Sequence, residues 1–179
     1  MRKDFLEILS GELIAVTGGL LAGLSLAIFK DKLLLIPGLF ILLPGLLEMR
    51  GNISGSLAAR IGSALHLGTL SANAKFNNKT ILRNIFASFL LVIFVSLVLG
   101  SLAYVATLIF FKIQFIEIIY ISVFAAVLSN IILLPLTIKT SLWLYKKGHD
   151  PDNIMGPYIT TIGDVVCILA ILLAITVVV

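Results

Sequence analysis

Long runs of apolar residues without a single charge constrain this chain more than any other feature. They extend from Leu13 to Phe29, Leu33 to Leu47, Asn84 to Phe111, Ile118 to Ile138, and Asn153 to Gly163, continuing past Asp164 to Val179. A hydrocarbon layer about 30 Å thick takes roughly 20 apolar residues per helical crossing, so 179 residues supply five crossings and short connections. Lipid offers no partner to an open backbone group, which leaves helices or a closed barrel. The runs are too long for barrel strands and show no period-two alternation. With 60% hydrophobic and 12% charged residues, too few polar groups remain to coat a water-soluble globule. These features predict an all-α membrane protein, one domain over residues 1–179, built as a bundle of five transmembrane helices.

The bases between the runs set an orientation. Arg2 and Lys3, then Lys75, Lys79 and Arg83, then Lys139, Lys146 and Lys147 fall on one side; Lys30, Lys32 and Lys112 fall on the other. Eight against three predicts a cytoplasmic N-terminus and an outward C-terminus. Asp4, Glu7 and Glu12 follow the first bases, and no small-residue cleavage site closes the first run, which predicts an uncleaved first helix. The formal charge of +4 is spread thinly between apolar runs and is explained by loop charge, with no nucleic-acid partner. The single cysteine, Cys167, lies in an apolar run and is expected to be a small buried hydrophobe.

The second run departs from the pattern. It has 15 residues, contains Pro37-Gly38 and Pro44-Gly45, and is followed by Glu48, Arg50, Gly51 and Asn52. From Ile53 to Gly68 the small residues Ser54, Gly55, Ser56, Ala58, Ala59, Gly62, Ser63 and Ala64 favour close helix contact. The expectation is a broken second helix, two half-helices meeting at Arg50-Gly51-Asn52, since irregular backbone at that depth survives where protein or a water-filled cavity satisfies it.

Asp164 is the sharpest polar signal. Counted from Met155, nine residues at about 1.5 Å each place its carboxylate some 13 Å deep. A carboxylate there needs water or a partner and by default marks an ion or proton pathway; a structural ion pair with Arg50 or Arg60 is the competing account. Thr160 and Thr161 precede it by four and three residues and add hydroxyl oxygens, and Gly156-Pro157 allows close backbone approach. On the second segment Asn52 and Ser56 share a face at i and i+4, kept open by Gly51 and Gly55. Oxygen donors of this kind suit hard divalent cations such as magnesium, held partly hydrated. Glu48 belongs either to a vestibule of the same path or to the packing, and Arg60 is expected to snorkel or to pair with a carboxylate or carbonyl. His66 and His149 stand alone, without a partner at metal-ligand spacing, and Asp150 with Asp152 offers a secondary cation contact in a Gly- and Pro-marked turn. No nucleotide-binding or hydrolase motif is present, so neither an enzyme nor an organic cofactor is expected. The candidate metal-binding residues are therefore Asp164, Asn52, Ser56, Thr160, Thr161 and Glu48, with Gly51, Gly55, Gly156 and Pro157 as backbone lining. A membrane scaffold whose polar residues merely fix helix packing is the alternative from another class.

Two stretches also carry a resemblance. Pro44-Gly45-Leu46-Leu47-Glu48-Met49-Arg50-Gly51-Asn52, running on to Ala59-Arg60, resembles the first signature of the MgtE-type magnesium transporters, in the form found in solute carrier family 41 and archaeal relatives. Asp150-Pro151-Asp152-Asn153-Ile154-Met155-Gly156-Pro157-Tyr158-Ile159-Thr160-Thr161-Ile162-Gly163-Asp164 resembles the second. The resemblance implies five helices per subunit, a homodimer around a central cation path in the plasma membrane, and magnesium as the transported ion. It places Asp164, Asn52 and Ser56 at the ion. Where some bacterial members have Asn, this chain has Gly156, and with only about a dozen residues before the first apolar run, gating by their cytoplasmic regulatory domains is not expected unless another chain supplies it.

Overall fold

The computed structural model describes residues 2–179, with side chains from Phe5 onward; the side chains of Arg2, Lys3 and Asp4, on which part of the charge count rests, lie outside the described residues. Five α-helices make up the chain: α1 (Arg2–Leu34), α2 (Leu39–His66), α3 (Lys79–Phe111), α4 (Glu117–Lys146) and α5 (Pro151–Val178). Among the described residues there is no strand. Four of the helices, α1 from Phe5 on and all of α3, α4 and α5, are long and apolar enough to cross a membrane. With its 28 residues α2 has the length, but it carries Glu48, Arg50 and Arg60. The chain is an integral membrane protein.

Two expectations about helix boundaries are corrected. Lys30, Asp31 and Lys32 do not form a loop; α1 continues through them to Leu34. The turn comes at residues 35–38, where Gly38 takes φ of 75° and Pro37 supplies no backbone donor. The second helix is not broken at Arg50-Gly51-Asn52 either: α2 runs through that triplet without interruption. Its physical reason is that a continuous helix satisfies every backbone group where lipid would satisfy none, while Pro44 removes a single bond in the second turn, near the helix end.

Caps mark the remaining ends. Asn78 accepts from the backbone N–H of Thr80 at 2.9 Å to open α3, and Asp150 accepts from that of Asp152 at 2.9 Å to open α5, with Pro151 next. Lys112 closes α3 in the left-handed conformation, φ 59°.

The packing follows small residues. Gly100 of α3 sits against the backbone of Ile119 in α4, where a β-carbon would come within 2.9 Å of its Cα, and Ser122 donates to the Ser96 carbonyl at 2.7 Å across the same seam. α2 is enclosed by α3, α4 and α5 through Leu46, Leu57, Ile61 and Leu65, all buried. α1 is different: it lies along α5 through Gly11, Gly18 and Ala22 and meets α2 only slightly, near their shared turn. Its Leu13, Val16, Leu20 and Leu24 are exposed, as lipid-facing residues are. One end of the bundle gathers the start of α1, the end of α2 and the start of α5, because His149 pairs with Glu7 at 2.9 Å and His66 with Asp150 at 3.2 Å. The α1–α2 turn and the α3–α4 connection share the opposite end, where Gly38 touches Thr107 and Ile118. The long helices therefore alternate in direction.

Candidate cation site

Asp164 lies thirteen residues beyond Pro151, about 20 Å along α5, and Arg50 lies eleven beyond Leu39, about 17 Å along α2. Both stand near the middle of their helices. The Arg50 guanidinium is fully buried and reaches across to α5, donating from Nη1 to the Ile159 carbonyl at 3.1 Å and from Nη2 to the Thr160 carbonyl at 3.3 Å. Nη2 also meets Asp164 Oδ1 at 2.5 Å. Gly163 makes the room, since a β-carbon there would fall on Nη1. The competing account of Asp164, an ion pair with Arg50 inside one protomer, is thus realised, and Asp164 is not a bare carboxylate. It is not sealed either: its side chain is 23% exposed, and among the described residues only Oδ1 has a hydrogen-bond partner.

Around this pair the candidate residues divide. On α5, Gly156, Thr160 and Asp164 recur every four residues on one uncovered stripe, and the Thr160 hydroxyl donates to the Gly156 carbonyl at 2.9 Å. Thr161 and Pro157 turn away from that stripe: Thr161 packs on Gly18 of α1 and donates to the Pro157 carbonyl at 2.9 Å, while Pro157 borders Gly11. On α2, Glu48, Asn52 and Ser56 form a second exposed stripe, with Asn52 Nδ2 donating to Glu48 Oε1 at 3.1 Å and Ser56 to the Ile53 carbonyl at 3.1 Å. A β-carbon added at Gly51, Gly55 or Gly156 would meet open space. Both stripes are exposed or partly exposed in the single chain. Polar side chains exposed halfway across a bilayer need water or another protein surface.

Among the described residues Arg60 meets no carboxylate or carbonyl; it donates to the buried hydroxyl of Ser88 on α3 at 3.0 Å. Cys167 is buried, as expected of a small hydrophobe. The two histidines, unpaired in sequence, each gain a carboxylate in space, and His66, Asp150 and Asp152 bring one ligand atom each within 4.8 Å of one another at the end of the bundle. Sequence reasoning did not assign Gly163 to the guanidinium or Gly62 to the carboxylate of Asp152, which a β-carbon at Gly62 would strike. Only the fold shows which side chain each of these glycines admits.

An all-helical chain with four helices long and apolar enough to cross a membrane belongs to the class of polytopic membrane proteins. Residues 43–174 match the family described as MgtE, divalent cation transporter, and the chain belongs to that family. It is a transporter family and not an enzyme family. No solved structure matches the chain. The match opens at Leu43, so α1 and the turn after it lie before the matched region.

Proposed function

We propose that this protein carries magnesium, or a divalent cation hydrated as strongly, along a path lined by Asp164 and Thr160 of α5 and Asn52, Ser56 and Glu48 of α2. One observation carries this reading: oxygen-bearing stripes lie exposed or partly exposed near the middle of two helices that the Arg50–Asp164 pair ties together, in a chain whose family transports divalent cations. Carboxylate, hydroxyl and amide oxygens around a partly hydrated ion are what magnesium accepts. A second copy of the chain covers the stripes, placing two Asp164 carboxylates about a twofold axis. Thr161 and Pro157, turned toward α1, support the path from behind. The basic end of the bundle faces the cytoplasm, across the plasma membrane. The likeness of the stretch from Pro44 to Arg60 to the first signature supports reading the chain as similar to the solute carrier family 41 and archaeal members.

The Arg50–Asp164 pair favours a second reading, a scaffold in which the charges only lock α2 to α5. Ion flux separates the two. Purified protein in vesicles should pass magnesium, and Asp164→Ala should abolish the flux while leaving the protein monodisperse. Absence of flux with magnesium, manganese, cobalt and calcium alike would establish the scaffold instead.

A further inference from the structure

Arg50 is the one group at the site whose charge has the sign of the cargo. It cannot retreat easily: it is wholly buried, two carbonyls of α5 hold its Nη atoms, and Gly163 is the cradle that admits it. Asp164 is the looser partner, a short side chain partly exposed on the open stripe and tied to Arg50 through Oδ1. If the pair separates, Arg50 keeps two acceptors and Asp164 is freed. A cation arriving at the stripe therefore meets a carboxylate already neutralised by a fixed positive charge.

We infer that Arg50 is a built-in competitor of the transported cation: Asp164 exchanges between the guanidinium and the cargo, and the fixed charge of Arg50 weakens cargo binding and hastens release. The inference rests on Asp164 being the cargo carboxylate. Two consequences follow from the same geometry. When no cation is bound, Asp164 keeps the guanidinium as its partner and is not left bare in a low-dielectric setting. When a cation is bound, like-charge repulsion from Arg50 acts at every encounter, favouring an ion that keeps part of its water between itself and the protein.

The test separates affinity from rate. Magnesium flux is measured against concentration in vesicles bearing wild-type protein, Arg50→Gln, Arg50→Lys, Gly163→Ala and Asp164→Asn. Arg50→Gln should lower the half-saturating magnesium concentration by about tenfold or more and reduce the maximal rate, because the competitor is gone. Arg50→Lys, which keeps the charge, should stay near wild type in half-saturation. Gly163→Ala, which displaces the guanidinium without removing it, should shift half-saturation in the same direction as Arg50→Gln and decides the matter if that variant aggregates. A merely structural arginine would lower the maximal rate and leave half-saturation where it was. Unchanged or raised half-saturation in Arg50→Gln or, where that variant aggregates, in Gly163→Ala, with flux lost in Asp164→Asn, overturns the competitor and spares the path. Full flux in Asp164→Asn overturns both.

Discussion

Gly163 lies so close beneath the guanidinium of Arg50 that any β-carbon at that position would occupy the place of Nη1. A residue without a side chain on α5 thereby decides whether a fully buried arginine on α2 can reach its partner. Gly163→Ala should destabilise the protein by about 1–3 kcal/mol, the usual cost of overpacking a tight site, read as a lower unfolding temperature in detergent.

The pair itself can be weighed by a double-mutant cycle. Arg50→Met leaves Asp164 without its partner, and Asp164→Asn leaves a buried guanidinium with carbonyls alone. Each single change should cost more than its share of the double, with a coupling of about 2 kcal/mol, reduced from the deeper-buried case by the exposure of Asp164. Additive losses in thermal unfolding would show that the two charges do not interact.

The α1–α5 seam offers a cleaner contrast. A β-carbon at Gly18 would run into Cγ2 of Thr161, whereas one at neighbouring Gly19 would meet nothing. Gly18→Val should lower stability by about 1–3 kcal/mol and Gly19→Val by less than about 1 kcal/mol, measured side by side in the same detergent.

Open space beside Gly51, Gly55 and Gly156 gives a test of the dimer in the membrane. Cysteine introduced at Gly156 or Asn52 should cross-link two copies under oxidising conditions, while the native thiol of Cys167, buried against the protein interior, should not. Only monomers from every position along both stripes would mean that lipid or another protein covers them.

Gly38 combines a left-handed backbone with contact to Thr107 and Ile118. Gly38→Ala should therefore lose about 1–2 kcal/mol from the backbone alone and more from the clash, seen as a drop in unfolding temperature.

Hydrophobic runs were enough to find all five helices, because in lipid the need to close every backbone bond leaves little choice. Their ends were less legible. Lys30, Asp31 and Lys32 look like a loop, yet they extend α1 by one further turn at the edge of the bundle, and Pro44 looks like a break although it costs only one bond near a helix start. Depth and spacing single out Asp164, Thr160, Asn52 and Ser56 in the sequence, and the structure leaves all four exposed or partly exposed. Thr161 was read with them because three residues separate it from Asp164, but the neighbouring helix α1 claims its face. Arg50 was named only as one possible partner because pairing across 114 positions leaves no periodic trace in a single sequence. The carboxylates beside His66 and His149 were hidden for the same reason.

The first helix hangs on the rest by a single glycine-lined edge, and the family signature begins only after it. Nearly all of its girth is thus free of any duty to neighbouring helices. Selection can rewrite that outward surface to suit a thicker bilayer or an adjoining molecule while the ion-handling core stays as it is.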